Sequence, residues 1–319
     1  MSRILLTAIG SMAAAPAARR YQALGHIVFG CDIYPREWTA LAGELDFFQA
    51  RLATEGEPYV EQLKEAVRRD RLDFLIPLTD PEVDVLSPRK TEFRALGCTV
   101  CVPEEPVAAL CRRKDRMNRF LAEKQVCRLI PTEAAVPGQP CPFSFPVMVK
   151  PRSGRSSLGQ AVAADEKSYQ TALAGREDCI VQPFLDGAIF CVDVARDAAG
   201  HTRAAARQEL LRNKSGLGMT VVVLPGHPLE AVCAAIAEAV GLVGVVNMEF
   251  IHHGDDFFFL EVNPRFSGGV GFSMAAGMDF ADMMLCCHAG GSVEGFPAAP
   301  KHALLARESS IVLTQLRSF

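Results

Sequence analysis

Two carboxylates carry the densest chemistry in this chain. Glu249 closes the run Asn247-Met248-Glu249, and Glu261 opens Glu261-Val262-Asn263-Pro264-Arg265. The link from His252 to Asp256 contains Gly254-Asp255, a hairpin signal. A three-residue loop centred on Asp255 places Glu249 directly opposite Glu261. Like charges opposed across a ladder are destabilising, so the pair makes sense around a divalent cation. An oxygen-only set, the two carboxylates and the Asn263 amide, suits magnesium shared with nucleotide phosphates. By the strand period of two, Phe257, Phe259, Glu261 and Asn263 share one face. Arg265 brings a planar, permanent charge within reach of the same phosphates. Ser267-Gly268-Gly269-Val270-Gly271 then opens a helix, where free N–H groups and glycines permit a substrate or anion loop.

A second constellation is Lys150-Pro151-Arg152-Ser153-Gly154-Arg155-Ser156-Ser157-Leu158-Gly159, between two strands. Lys150 precedes the glycines, so this is not a Walker A loop. A lysine at a strand end followed by Ser153, Gly154, Ser156 and Ser157 can fold over phosphates as a lid. Other patterns lead elsewhere. Gly10-Ser11-Met12-Ala13 keeps one glycine of the dinucleotide fingerprint, which favours packing over NAD, although Asp32 sits where a ribose-binding acid would. His252-His253 reads as a loop pair without metal-ligand spacing, and there is no nucleophile elbow. Cys98 and Cys101, three apart on a strand, point to opposite faces and make a poor chelate.

These groups need a scaffold. The first hundred residues alternate strand and helix: Ile4 to Ala8, Met12 to Leu24, His26 to Cys31, Tyr59 to Arg69, Asp73 to Leu78, Pro81 to Leu96, Cys98 to Val102. That rhythm predicts βαβ units on a parallel sheet. A basic helix from Lys114 to Glu123 follows, then five prolines between Pro131 and Pro146 that read as a domain joint. Short strands Phe145 to Lys150, Gln160 to Ala164 and Cys179 to Phe184 enclose a helix, Glu166 to Ala174. Beyond Gly187 strands dominate (Ala188 to Ala195, Arg203 to Leu210, Met219 to Leu224, Val243 to Ile251, Asp256 to Val262), with helices at Pro228 to Val240 and Phe272 to His288. The fold class is α/β, turning to α+β in the C-terminal part. Three units are expected: residues 1–112, 113–187 and 188–319.

The bulk numbers agree with a folded multidomain protein. The chain has 319 residues, 49% hydrophobic and 22% charged, with net charge −4 and pI near 6.0. No basic stripe speaks for nucleic acid, and no apolar run approaches the ~20 residues of a membrane span. Residues 1–31 read as strand, turn, helix and strand, not as a secretory leader. Eleven scattered cysteines fit a reduced cytoplasm, with thiols buried as small apolar groups.

Taken together these residues resemble the ATP-grasp superfamily, in particular carbamoyl-phosphate synthase large-chain domains and carboxylate–amine (amino-acid) ligases. The resemblance runs through Ile76-Pro77-Leu78-Thr79-Asp80-Pro81-Glu82, the helix Lys114 to Leu121, Phe145-Pro146-Val147-Met148-Val149-Lys150-Pro151 and Ile180-Val181-Gln182, to its most specific piece, Glu261 to Arg265. It implies an N-terminal βαβ domain, a small lid and a C-terminal mixed sheet, with ATP gripped between the last two. Lys114 and Lys150 would bind ATP phosphates. Gln182, Pro183, Phe184 and Leu185 would hold the adenine, and Glu249, Glu261 and Asn263 magnesium or manganese. Arg212 and Lys214 would face the transferred phosphoryl or the substrate, with Lys150 and Arg265 sharing the catalytic role. The implied reaction activates a small carboxylate as an acyl phosphate for attack by an amine, forming a C–N bond and releasing ADP and phosphate. A homodimer is expected. The same site would suit a carboxyphosphate-type synthase or an acyl-phosphate kinase, and the rival of another class is a nucleotide-binding module without turnover. Two positions depart from the family pattern: Pro183 stands where an acid usually follows Gln182, and Ile189 where a ribose-binding glutamate follows Gly187.

Overall fold

A computed structural model describes residues 1–154, 158–308 and 311–314. The chain opens on a parallel sheet of order β3-β2-β1-β4-β5: β1 (Arg3–Leu6), β2 (Ile27–Asp32), β3 (Asp46–Gln49), β4 (Phe74–Ile76) and β5 (Thr99–Val100). Helix α1 (Ala14–Ala23) follows β1, and α2 (Glu57–Asp70) buries the stripe Tyr59, Val60, Leu63, Ala66 and Val67 against the sheet. The expected helix from Pro81 to Leu96 is broken. Pro88 cannot donate to a helical ladder, and α3 (Asp80–Leu86) gives way to a 3-10 turn and α4 (Lys90–Ala95). The start of α3 is held by Glu82, whose carboxylate accepts from the Thr79 N–H at 3.0 Å and the Thr79 hydroxyl at 2.7 Å. That cap aims Asp80 away from its own sheet and toward the residues described below. Helix α5 (Glu105–Arg112), which the prolines near 103 and 106 hid from sequence reading, leads into α6 (Lys114–Lys124). Cys98 and Cys101 do lie on opposite faces, in separate cores.

Next come β6 (Arg128–Leu129), β7 (Glu133–Ala135), β8 (Val147–Pro151), β9 (Ala161–Ala163), α7 (Glu166–Leu173) and β10 (Cys179–Pro183). Strands β7, β10, β8 and β9 form a four-stranded sheet, whereas β6 leaves it and pairs in parallel with a strand of the third sheet. The third sheet is built from β11 (Ala188–Arg196), β12 (Thr202–Arg212), β13 (Gly218–Val223), β14 (Gly244–His253), β15 (Asp256–Asn263) and β16 (Ala303–Ala306), in the order β16-β13-β12-β11-β14-β15-β6. Helix α8 (Pro228–Val240) covers one face, where Leu229, Cys233 and Ile236 pack on Val192, Met248, Phe250 and Phe259. The closing helix is two pieces, α9 (Val270–Ala275) and α10 (Phe280–His288), parted at Gly277 with φ +99°. Against α10 packs α1 of the first sheet, and the Tyr21 hydroxyl donates to the Ala281 carbonyl at 3.0 Å. The first sheet is thus fastened to the third, and its loops overhang the third sheet's open face.

The β14–β15 hairpin meets its expected register by an unexpected route. His253 pairs with Asp256, so Gly254-Asp255 is a two-residue turn, not a three-residue loop. A bulge then intervenes: Phe250 pairs with Phe259 but Glu249 with Glu261, leaving Leu260 as the extra residue. The bulge restores the opposition of the glutamates and reverses the alternation of β15. Phe257 and Phe259 therefore share the α8 core, not the face of Glu261 and Asn263 as the simple period of two required. Burying Phe250 and Phe259 contributes roughly 1.5–3 kcal/mol each, which anchors the strands whose other face bears the acids. His252 belongs to β14 instead of a loop, stacked on Phe257 with ring centroids 4.5 Å apart.

Candidate active site

Glu249 and Glu261 stand side by side on the open face, each side chain about 20% exposed. Burial, then the facing Glu261, pushes the Glu249 carboxyl up to about 7. Burial also opposes ionisation of Glu261, but Lys114 and Lys150 hold its carboxyl below the usual range. The Asn263 amide nitrogen lies 3.3 Å from Glu249 Oε1, 3.4 Å from Glu261 Oε1 and 3.4 Å from Asn247 Oδ1. Oxygens from separate residues thus converge on one point, and a partial positive charge occupies it. Among the described residues no group of three His, Cys, Asp or Glu side chains has metal-binding geometry. Two carboxylates, joined by the Asn263 oxygen once that amide turns over from Arg265, fit a hard cation that completes its shell with phosphate oxygens and water.

Cations close in from separate elements. Lys114, at the start of α6, pairs with Glu261 at 2.8 Å, and its backbone N–H donates to the Arg152 carbonyl at 3.0 Å, tying α6 to the end of β8. Lys150 on β8 is 5% exposed, and burial pushes its ammonium down to about 8 against the pull of Glu261 and Glu249. Arg212, at the end of β12, is gripped by Glu209 at 2.6 Å and reaches Glu249 at 3.6 Å. Arg265 lies on the second cleft described below, but its fork is bidentate to Asp80 at 2.7 and 3.1 Å, a partner from the first sheet. Arg112 also approaches Asp80, at 3.4 Å. Burial raises the Asp80 carboxyl, and Arg265 and Arg112 bring it below its ordinary value. Lys214 and Ser153 stand exposed and line neither cleft. Ser156 and Ser157 lie outside the described residues.

Two clefts meet at the glutamates. The first, about 190 Å³, lies between the four-stranded sheet and the third sheet. Lys114, Lys150, Arg212, Glu249 and Glu261 make one end, while Ile130, Met148, Gln182, Pro183, Phe184, Leu185, Ile189, Ile251 and Leu260 line the rest. Gly154 borders it too, and Gln182 donates to the Thr132 hydroxyl at 2.6 Å. The second, about 300 Å³, lies between the third sheet and the first and is bordered by Ser11, Met12, Leu78, Asp80, Arg207, Asn263, Arg265, Ser267, Gly268 and Gly269. Glu249, Glu261, Ser215 and Gly216 border both. A charged, partly dry junction between an apolar slot and a polar cleft is a place where a phosphoryl group can pass between two ligands.

Beneath the glycine loop lies a cluster that sequence reading missed. Arg207 and Asp193, each 1% exposed, pair at 2.5 Å. Ser267 and Ser273 donate to the Asp193 carboxylate at 2.8 and 2.7 Å, and Arg207 donates back to both hydroxyls. Burial opposes the Arg207 charge, and Asp193 more than offsets it. A Cβ on Gly269 would stand 2.7 Å from the Arg207 guanidinium, so glycine lets the loop lie on the arginine. Alternation within β11 and β12 hinted at this pairing, since Asp193 and Arg207 both point inward among small residues.

The family model describing ATP-grasp proteins in the biosynthetic pathway with the Ter operon matches residues 175–310. A formate-dependent phosphoribosylglycinamide formyltransferase of Synechococcus sp. (strain CC9311) is 26% identical over 274 residues, covering 76% of this chain and 65% of that protein, so the chain spans about two thirds of that relative's length. A carbamoyl phosphate synthase large chain of Streptomyces griseus is 28% identical over 149 residues, 42% of this chain and 14% of its own. The solved L-amino acid ligase of Bacillus licheniformis superposes with a TM-score of 0.70 at 14% identity, covering 91% of this chain and 74% of that one. The chain thus has the ATP-grasp fold of such solved structures, and its residues 175–310 match an ATP-grasp family model.

Proposed function

We propose that the protein is an ATP- and magnesium-dependent ligase that activates a small carboxylate as an acyl phosphate and passes it to an amine. The observation that carries this is the meeting of the clefts at Glu249 and Glu261, with Lys114, Lys150 and Arg212 around them. Adenine would lie in the apolar slot near Gln182 to Leu185, its phosphates on Lys114 and Lys150. The carboxylate would enter the second cleft beside Arg265 and the loop Ser267 to Gly269. Its oxygen would bond to the γ-phosphorus as the bond to the β–γ bridging oxygen breaks, releasing ADP. The amine nitrogen would then bond to the acyl carbon, expelling phosphate and losing a proton. Glu249, Glu261 and Asn263 would hold magnesium, or manganese, which neutralises phosphate charge when bound. Arg212, steadied by Glu209, would face the transferred group. Arg265 would orient the carboxylate, itself oriented by Asp80.

No helix among the described residues is long and apolar enough to cross a membrane. The protein would act as a cytoplasmic homodimer without nucleic-acid partners, its three units divided near residues 112 and 187.

A screen of amino acids and small acids with amines should reveal ATP-dependent phosphate release. With the responding acid, ATP and hydroxylamine should give a hydroxamate and ADP. AMP and pyrophosphate would mean adenylation and sink the mechanism. Nucleotide binding without phosphate release from any pair would mean a binding module instead.

A further inference from the structure

We infer that the nucleotide cleft does not read the ribose 2′-hydroxyl, so that 2′-deoxy-ATP serves nearly as well as ATP. This rests on the nucleotide reading above. Lys114, Lys150 and Glu249 mark the phosphate end of the cleft, and the apolar residues the base end. The sugar must lie between them. On β14 the residue one same-face step beyond Glu249 is Ile251, about 7 Å away by strand geometry, and Ile251 pairs directly with Ile189 on β11. Both line the cleft, so the wall beside the sugar is a pair of isoleucines.

Strong selection for a vicinal diol needs a charged acceptor shielded from water. Among the described residues lining this cleft, the carboxylates are Glu249 and Glu261, both at the phosphate end. Other acids nearby are engaged or turned away. Glu209 sits directly across from Ile189, but Arg212 holds it at 2.6 Å, the Cys191 thiol donates to it at 3.3 Å, and it borders the second cleft. Asp193 is locked to Arg207, Ser267 and Ser273. Asp186 is exposed and lines neither cleft. Gln160 borders the slot as a neutral, exposed amide, and such a bond discriminates by about tenfold or less.

The test compares ATP with 2′-deoxy-ATP by kcat/KM for phosphate release, and ADP with 2′-deoxy-ADP by calorimetric titration in the presence of magnesium. Ratios below tenfold are expected, and a preference of tenfold or more for the ribonucleotide overturns the inference. If neither diphosphate binds, the nucleotide reading falls and takes this inference with it. Equal binding without turnover leaves this inference standing and removes the ligase. Ile189→Glu, checked for folding by circular dichroism, should raise the preference for the ribonucleotide at least tenfold, whereas an unchanged ratio in the folded variant overturns the placing of Ile189 at the sugar. Glu209→Gln should leave the ratio unchanged, and a shift would show that Glu209 reads the sugar after all.

Discussion

Two buried polar clusters share one face of the third sheet. Glu249, Glu261, Asn263, Lys114 and Lys150 form one; Asp193, Arg207, Ser267 and Ser273 form the other, and Asn247 touches both, donating to Asp193 at 3.3 Å and accepting from Asn263. The second closes on itself. Its acid is matched by one guanidinium and two hydroxyls, and little affinity remains for a ligand. The first is left open: like charges face each other, a lysine's ammonium is pushed down to about 8, and the oxygens converge on an amide nitrogen. A fold keeps such an arrangement where something else completes it, and the open cluster borders both clefts. Closure distinguishes scaffold from site here better than burial does, since Lys150 is nearly as buried as Arg207.

The contrast can be broken by experiment. Glu261→Gln should lower the rate of phosphate release by about a hundred- to a thousandfold, the scale of losing a principal electrostatic contact in the transition state, while the denaturation midpoint stays near wild type. Turnover at the wild-type rate would remove Glu261 from the site. Asp193→Ala should do the reverse in kind, leaving Arg207 buried without its partner at a cost of about 3–5 kcal/mol, read as a drop in the urea midpoint. A variant as stable as wild type would mean that the closed cluster is no scaffold.

A smaller effect follows from pH. Glu249, raised to about 7, is protonated below that value and must lose its proton to hold a cation. Lys150, lowered to about 8, loses its charge above that value and with it much of its hold on phosphate. Affinity for the magnesium–nucleotide complex should therefore peak between about pH 7 and 8 and fall on both sides, by up to about tenfold per unit. Calorimetry across pH 5.5 to 9.5, chosen as about two units around each group, checks this. In Lys150→Met the alkaline limb should vanish while the acid limb remains, and a profile unchanged by that substitution would show that Lys150 does not hold the phosphates.

The opposition of Glu249 to Glu261 was legible because it depends on local things: strand propensity, a turn dipeptide and the period of two. Even so, the turn is one residue shorter than expected and the Leu260 bulge makes up the difference, so the register agreed while the assignment of Phe257 and Phe259 to the acids' face failed. A bulge has no signature in residue type that a single chain displays. The break between α9 and α10 and the strands β3, β6, β7 and β16 escaped for a related reason, since each is short and lives on contacts with distant partners.

The sequence by itself determined the chemical types and the local spacings: two glutamates and an asparagine on adjacent strands, a lysine ending another strand, and alternating elements for a front sheet. Those follow from backbone geometry over a few residues. Only the tertiary structure decided which charges are occupied. Asp80 captures Arg265 from 185 positions away, Asp193 captures Arg207, and Glu209 holds Arg212, while Lys214 is left in solvent. Pairing of this kind depends on which side chains meet in a dry interior, where a charge without a partner is costly, and that is settled by how the three sheets pack and not by any run of residues.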